Sequence, residues 1–288
     1  MRILLTGATG FIGKSLKKKL SNKSFNIVAL SRRKHKDKDN IKYIKDSIRL
    51  NNKFHIINKF DPEVVIHLSW EGIPNFSNLV LTKNLKDQKI FFKKISLLKS
   101  LKKIIVTGSC LEYKNRTGKC KENGRLTNLN DLGKTKIELF KFIKKTINSK
   151  INLYWLRLFY IYGRNQRKGS LIPLLINSAI KKRPLKLKNV YNSHDYIHVD
   201  DLSSVIKKLL KKNIKSGVYN VGYGKSISIL SIIEILEKLL NKKINFKSYE
   251  KSKKFSFYSC NDKIKKNLKF IPKINLKKGL KELINKNE

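Results

Sequence analysis

The chain has 288 residues, and 66 Lys and Arg residues against 20 Asp and Glu give it a formal net charge of +46. The basic residues are spread over nearly every segment and occur with abundant Ile and Asn, the pattern that an AT-rich genome imposes, so we do not expect a nucleic-acid interface. No apolar run approaches the roughly 20 residues of a membrane span, and the three scattered cysteines are too few for a disulfide framework or a zinc site. These features predict a protein of a reducing, cytoplasmic compartment with no metal and no membrane partner.

The first half of the chain predicts strands and helices in alternation. Short apolar runs bounded by polar residues predict strands, and longer stretches with helical spacing of their apolar residues predict helices. This order is typical of a doubly wound parallel sheet with right-handed crossovers. The predicted strands lie over residues 2–5, 25–30, 64–68, 103–107 and 152–158, and the predicted helices begin at Phe11 and cover 77–101 and 131–148.

The pattern changes past residue 163. A helix over 171–180 precedes a short strand over 185–187, and a periodic helix is predicted over 226–241. Segments 195–201 and 218–222 are interpreted as strands that return toward the sheet. We therefore predict an α/β fold with a Rossmann-type doubly wound parallel sheet and a smaller interleaved C-terminal substrate lobe. The expected Rossmann domain is 1–163, with returning segments near 190–222, and the expected lobe is 164–189 and 223–288.

Residues 6–13, Thr-Gly-Ala-Thr-Gly-Phe-Ile-Gly, connect the first predicted strand to the first predicted helix. Gly7 permits a tight turn, Gly10 removes the Cβ that would meet a pyrophosphate, and Gly13 lets the helix lie close to the strand. The N–H groups of the first helical turn, with the positive end of the helix dipole, would face the phosphates. The segment predicts a dinucleotide phosphate site.

The residues after the second predicted strand, Ser31-Arg32-Arg33, lie where dinucleotide-binding proteins distinguish their cofactors. NAD-binding proteins place Asp or Glu there to bind the ribose 2′-hydroxyl. A serine and a guanidinium instead suit a 2′-phosphate, because Arg forms charge-assisted bidentate bonds to it. We therefore predict NADP(H) as the cofactor and keep NAD as the alternative, since basic residues are common everywhere in this chain.

Several short motifs are informative because of their order and spacing along the chain. They are Thr6–Gly13, Asp61–Leu68, Val106–Ser109 followed by Glu112 and Tyr113, Gly133–Lys136, Arg157–Gly163, Asp195–Asp201 and Tyr219–Gly222. Over almost its whole length the chain resembles the extended short-chain dehydrogenase/reductases, the NAD(P)-dependent nucleotide-sugar epimerases, dehydratases and reductases. The resemblance implies a nicotinamide cofactor, a nucleotide-activated sugar as substrate, and a homodimer that pairs through the helices 77–101 and 131–148.

The resemblance also implies a set of site residues. In this family a serine and a tyrosine hydrogen-bond the sugar oxygen, the tyrosine exchanges the proton, and a lysine binds the nicotinamide ribose and lowers the pKa of the tyrosine. Ser109 and Lys136 match the serine and the lysine. Asp46 would hold the adenine amino group or, equally well, cap a turn. The implied cofactor-binding residues are Gly7, Thr9, Gly10, Phe11, Ile12, Gly13, Arg32, Asp46, Leu68 and Lys136, and the implied substrate-binding residues are Ser69, Tyr160 and His194.

The tyrosine position, four residues before Lys136, is Leu132, which cannot exchange a proton. Three interpretations remain. Another group (Tyr113, Tyr160 or a water) supplies the proton; or the protein is an impaired paralogue that binds cofactor and sugar nucleotide, or RNA, without efficient turnover; or its function is lost. The intact glycine loop and Lys136 argue against the last. Our hypothesis is that Tyr113 is the substitute, which makes Ser109, Lys136 and Tyr113 the predicted catalytic residues.

Cys110 and Leu111 narrow the reaction that the resemblance implies. The 4,6-dehydratases of the family carry an Asp-Glu pair at these positions, and the 3,5-epimerising reductases carry a cysteine acid at the position of Leu111, so neither reaction is expected. The remaining reactions are 4-keto reduction and 4-epimerisation at one sugar carbon, and residues 67–76 resemble the 4-ketoreductases and synthases of deoxyhexoses. His194 replaces an arginine that reaches the nucleotide diphosphate, and a neutral histidine binds phosphate less well.

Overall fold

The computed structural model describes residues 1–114, 117–126, 131–250 and 256–285. Contacts divide the chain into two compact units, the first made of Met1–Lys114, Gly124–Arg157 and Ser203–Tyr219, and the second of Asn115–Asn123, Leu158–Leu202 and Asn220–Glu288. Within the described residues no helix is both long and apolar enough to cross a membrane. The same residues contain no group of three or more His, Cys, Asp or Glu side chains that could hold a metal ion.

The regular elements follow one another in short succession. The strands are β1 (Arg2–Thr6), β2 (Asn26–Ser31), β3 (Ile41–Lys45), β4 (Val64–His67), β5 (Lys103–Ser109), β6 (Gly118–Cys120), β7 (Asn152–Leu158), β8 (Tyr160–Tyr162), β9 (Leu185–Leu187), β10 (Ser193–His198), β11 (Gly217–Val221), β12 (Ser226–Ser228), β13 (Phe246–Ser248) and β14 (Ser256–Ser259). The α-helices are α1 (Phe11–Leu20), α2 (Phe54–Phe60), α3 (Asn78–Ile95), α4 (Asp131–Thr146), α5 (Leu171–Lys181), α6 (Val199–Lys211), α7 (Ile229–Leu240), α8 (Asp262–Leu268) and α9 (Leu276–Ile284), and one 3₁₀ turn covers Cys110–Glu112.

The larger sheet has seven strands in the order β11-β7-β5-β4-β1-β2-β3. The pairs β1–β2, β1–β4, β2–β3 and β4–β5 are all parallel. The chain order therefore reverses at β1, with β2 and β3 on one side of it and β4 and β5 on the other. Ligands of open α/β sheets bind outside the carboxyl ends of the strands at such a point. The predicted fold class is confirmed.

The core of the first unit explains why the central strands have apolar residues in succession rather than in alternation. Nearly every residue of β1, β4 and β5 is buried, as expected of strands covered on both faces. Phe91 and Phe92 of α3 and Leu139 of α4 lie in one buried cluster with Trp155 of β7. Burying an apolar side chain of this size contributes roughly 2 kcal/mol, so these two helices are held firmly against the sheet that carries the candidate site.

The second unit is organised around β10. This strand pairs in parallel with β8 and β14 and antiparallel with β12, while β6 pairs in parallel with β14. A separate two-stranded parallel pair is formed by β9 and β13. The core packs Ile176 of α5, Leu236 of α7 and Leu280 of α9 with Tyr162 and Tyr196.

Three element boundaries differ from the sequence-based expectations by three residues or more. The helix predicted over 77–101 ends at Ile95. The helix predicted over 226–241 begins at Ile229, because Ser226–Ser228 pair with β10 and the Ser228 hydroxyl accepts the Ser231 N–H as an N-cap. The segment 195–201, predicted as a strand, is strand only to His198, and α6 begins at Val199. The two acidic residues in the first turn of α6 suit a helix N-terminus, and the sequence-based prediction overlooked that signal.

Candidate functional site

The glycine loop connects β1 to α1 through a turn that only small residues can form. Gly7 has φ +72°, and a Cβ there would lie 2.8 Å from the Leu68 carbonyl carbon. A Cβ on Gly13 would lie 2.2 Å from the Gly7 oxygen, because the first turn of α1 packs directly on the loop. Gly10 is exposed, and among the described residues other than its chain neighbours its Cβ would approach only the Gly7 oxygen within 4 Å, at 3.3 Å. Gly7 and Gly13 therefore shape the turn, whereas the absence of a side chain at Gly10 leaves open space at the N-terminus of α1.

A cavity of about 790 Å³ lies at the carboxyl ends of β1, β2, β3 and β4. Six of the predicted cofactor-binding residues line this cavity, together with Ser69, which was predicted to bind substrate. Phe11, Ile12 and Gly13 belong to α1 and are not part of the lining. The six are Gly7, Thr9, Gly10, Arg32, Asp46 and Leu68.

Charged side chains surround one part of this cavity. The Arg32 guanidinium lies 3.1 Å from a carboxylate oxygen of Glu71, and the other oxygen of Glu71 lies 3.0 Å from Lys83 Nζ. Asp46 uses Oδ1 to accept the Ser47 N–H and Oδ2 to accept the Lys53 N–H, so it caps the turn after β3 while it lines the cavity. Glu71 was not among the predicted site residues, because nothing in the local sequence shows that it faces Arg32.

A buried histidine supports the floor of the site. His67 ends β4, and its Nδ1 lies 2.9 Å from the Thr6 hydroxyl while its Nε2 pairs with the Gln88 side-chain oxygen. Burial lowers the pKa of His67 to about 3, so the ring is neutral. Gln88 also donates to the Ser69 carbonyl at 3.0 Å. The histidine and glutamine thus fix the loop that follows β4, and the ring acts as a structural group.

Ser109 ends β5, where the 3₁₀ turn holds it in a fixed orientation. Its hydroxyl accepts the Leu111 N–H at 3.1 Å, and its own N–H donates to Glu112 Oε1 at 2.7 Å, which together form a capping box. Glu112 is 1% exposed and also accepts from Trp155 Nε1 at 3.0 Å and from Arg157 Nε at 2.8 Å. The serine loop therefore rests on a buried ion pair.

Lys136 lies on the buried face of α4, and its Nζ donates to the Thr107 carbonyl of β5 at 2.9 Å. The same Nζ lies 3.8 Å from the centre of the Trp70 ring, a cation–π contact. Burial lowers the pKa of Lys136 to about 7, and the Glu112 carboxylate opposes part of this shift. Leu132 is mostly buried in the first turn of the same helix. Neither of these contacts of the lysine involves position 132.

Tyr113 is almost fully buried beside the ion pair. The Arg157 guanidinium carbon lies 4.7 Å from the centre of its ring. Burial works against the charge of Arg157, but the neighbouring Glu112 and Tyr113 raise the pKa of the guanidinium above its ordinary value. The phenol of Tyr113 is therefore placed next to a permanent positive charge in the same unit as Ser109 and Lys136.

The two predicted substrate residues of the second unit lie in contact with each other. The rings of Tyr160 and His194 stack with their centres 4.2 Å apart, and both line a cavity of about 290 Å³ together with Tyr196 and Gln166. Burial raises the pKa of the Tyr196 phenol, and among the described residues its hydroxyl has no hydrogen-bond partner. Tyr160 and His194 also line an adjoining cavity of about 490 Å³ that includes Lys186 and other polar residues.

The chain is similar to proteins of known families over most of its length. Residues 3–222 match the model of the NAD dependent epimerase/dehydratase family. The dTDP-4-dehydro-6-deoxyglucose reductase of Escherichia coli is 27% identical, over 84% of this chain and 82% of the relative. The dTDP-6-deoxy-L-talose 4-dehydrogenase (NAD(+)) of Aggregatibacter actinomycetemcomitans is 24% identical, over 81% of this chain and 88% of the relative.

Solved structures share the fold over the whole length. MoeE5 in complex with UDP-glucuronic acid and NAD superposes with a TM-score of 0.88 at 21% identity, and the match covers 100% of both chains. The UDP-glucuronic acid 4-epimerase from Bacillus cereus in complex with UDP-glucuronic acid and NAD superposes with a TM-score of 0.86 at 24% identity, again over 100% of both chains. At this level of identity the similarity shows the fold.

Proposed function

Because the chain belongs to the NAD dependent epimerase/dehydratase family, we propose that it is an NAD(P)-dependent nucleotide-sugar oxidoreductase or epimerase. The proposed reaction takes place at one sugar carbon and is either a 4-keto reduction or a 4-epimerisation. The observation that carries the proposal is the glycine-lined cavity at the point where the strand order reverses, in the same unit as Ser109 and Lys136. The two curated relatives act on dTDP-activated deoxysugars, which makes a nucleotide 4-keto-6-deoxy sugar the first substrate to test.

The residues of the cavity suit a dinucleotide. Its volume of about 790 Å³ lies within the range usual for ligand sites. A side chain at Gly10 would extend into open space at the N-terminus of α1, where backbone N–H groups favour a phosphate. We assign the pyrophosphate to Gly7–Gly13 and the adenosine end to the residues that follow β2 and β3. Arg32 and Arg33 favour NADP(H) as the finer assignment, with NAD as the alternative.

The proposed mechanism has two steps, the transfer of a hydride and the transfer of a proton. The nicotinamide, when bound, donates a hydride to the sugar carbon or accepts one from it. Reduction of a ketone leaves negative charge on the sugar oxygen, and that oxygen must then receive a proton. In the proposal Ser109 orients the oxygen by a hydrogen bond, and the Lys136 ammonium binds the nicotinamide ribose and stabilises the developing charge.

This mechanism needs a proton donor other than the residue at the family's tyrosine position, because Leu132 cannot supply a proton. We propose Tyr113 as the substitute, because it is a phenol in the same unit as Ser109 and Lys136, with its ring centre 4.7 Å from the Arg157 guanidinium carbon. The second candidate function follows directly from Leu132. In that case the protein binds cofactor and sugar nucleotide but turns over roughly 10²–10⁴-fold more slowly than a complete enzyme.

The experiment begins with calorimetric binding of NADPH and NADH to the wild-type protein. A single turnover with a nucleotide 4-keto-6-deoxy sugar is then followed at the nicotinamide absorbance band, in the wild type, Tyr113→Phe and Leu132→Tyr. Binding with rapid oxidation that Tyr113→Phe slows about 100-fold would support Tyr113 as the acid. Binding without oxidation, restored by Leu132→Tyr, would support the impaired paralogue. Failure to bind either cofactor would refute the proposed function.

We also propose that the protein is a homodimer that pairs through α3 and α4. A shallow cavity on the α3 surface is lined by Leu85 and Ile90 between lysines, which offers an apolar strip for a partner helix. Sedimentation at several concentrations, with Leu85→Glu as the variant, tests this association. A monomer at all concentrations in the wild type would contradict it.

A further inference from the structure

The residue after β2 has an unexpected partner. Arg32 stands where NAD-binding proteins carry an acidic residue, yet its guanidinium is paired at 3.1 Å with the Glu71 carboxylate, and both residues line the cavity. A carboxylate is therefore present at the end of β2, although the loop after β4 supplies it. Resting on the proposed function, we propose that Glu71 sets the preference of this site between NAD(H) and NADP(H).

Glu71 is held in place from two directions. Its backbone N–H donates to the Asn84 side-chain oxygen at 2.9 Å, and the Asn84 amide nitrogen donates back to the Glu71 carbonyl at 3.1 Å. Asn84 itself is 3% exposed on α3. Lys83, one residue earlier on the same helix, lies 3.0 Å from the second carboxylate oxygen. The Glu71 side chain is 32% exposed and that of Arg32 70%, so the acidic partner is the more constrained of the two.

The ion pair between Arg32 and Glu71 changes the charges that a 2′-phosphate would approach in this cavity. An unpaired Arg32 would offer two N–H groups to the phosphate. With Glu71 in place, the phosphate must compete with a carboxylate for the guanidinium and must approach a charge of its own sign. A ribose 2′-hydroxyl carries no such penalty and can donate to a carboxylate. Within the described residues Arg33 has no acidic partner at ion-pair distance and lines the same cavity, so one guanidinium stays available for phosphate. Glu71 thus shifts the balance toward NAD(H) in a site whose arginines favour NADP(H).

The test measures the dissociation constants of NADPH and NADH by calorimetry for the wild type, Glu71→Gln and a control. The control is Asp262→Asn, which removes the same charge from an ion pair of similar length with Lys119, 3.0 Å, outside the cavity lining. We expect Glu71→Gln to raise the preference for NADPH over NADH about tenfold, chiefly through tighter NADPH binding, because it removes both the competition and the repulsion. Asp262→Asn should leave the preference unchanged.

A second variant decides whether the effect passes through Arg32. The Glu71→Gln change is then made in the Arg32→Gln variant. There it should shift the logarithm of the preference for NADPH over NADH by less than half as much as it does in the wild type, because the competition for the guanidinium is gone. An unchanged preference in Glu71→Gln, with both cofactors still bound, would overturn the inference and leave the proposed function standing. If the wild type bound neither cofactor, the proposed function and this inference would both fail.

Discussion

The buried ammonium of Lys136 makes the stability of the fold depend on pH in a way that one substitution can isolate. The pKa of Lys136 is lowered to about 7, chiefly by burial, from an ordinary value of 10.5. Between these two values the unfolded chain keeps a proton that the folded chain has released, so raising the pH favours folding. Below about pH 7 both states are charged, so the pH dependence ends and the cost of burying the ammonium is at its full value. Inside this window each pH unit adds about 1.4 kcal/mol to the free energy of unfolding.

The prediction concerns the difference between the wild type and Lys136→Met, which keeps the length of the side chain and removes the charge. Relative to this variant, the free energy of unfolding of the wild type should rise by about 2 kcal/mol between about pH 7.5 and pH 9. Urea unfolding at several pH values measures both proteins. Because the comparison is a difference, the titration of the other lysines cancels to first order.

The control is Lys141→Met, which removes a charge from the exposed face of the same helix. Its difference from the wild type should not vary over the same pH range, because that amine is in water in both states. A flat difference for Lys136→Met would refute the reasoning, since it would mean that the Lys136 ammonium is not desolvated. A difference that fell with pH would refute it equally, because the sign follows from the lowered pKa alone.

Two further predictions concern the supports of the site. Glu112→Gln leaves the Arg157 guanidinium buried without its charge partner and should destabilise the protein by about 3 kcal/mol, measured by thermal unfolding; an unchanged melting temperature would show that water reaches the pair. Gly13→Ala places a Cβ 2.2 Å from the Gly7 oxygen and should abolish cofactor binding in calorimetry. Gly169→Ala, where a Cβ meets none of the described residues beyond its chain neighbours within 4 Å, should bind as the wild type does.

The first half of the fold was predictable because local signals and tertiary packing agree there. The glycine loop lies between a buried strand and an amphipathic helix, and both elements formed where the periodicity predicted them. The start of α6 was missed because Asp195–Asp201 looks like a single strand, whereas the pairing of β8 with β10 ends at His198. Asp200 and Asp201, which suit the first turn of a helix, are the local signal that this prediction overlooked.

The electrostatic partners of the site were not predictable for a different reason. Glu112 and Glu71 are two of 20 acidic residues in a chain with 66 basic ones, so almost any pairing is possible on composition alone. One became a buried ion pair under the serine loop, and the other lines the cavity next to Arg32. Long-range contacts of this kind depend on which strands are adjacent, a property of the folded sheet.

Leu132 lies close to a lysine whose contacts are in place, and this determines which experiments can distinguish an active enzyme from an impaired paralogue. Lys136 keeps its bond to the Thr107 carbonyl, and Ser109 keeps its capping box, without any contribution from position 132. Leu132 therefore offers no proton donor at this position, while Lys136 and Ser109 keep their contacts. It follows that the two functions share one binding site and differ only in proton transfer, so Lys136→Met should weaken cofactor binding under either. Only turnover, compared between Tyr113→Phe and Leu132→Tyr, distinguishes a relocated acid from a missing one.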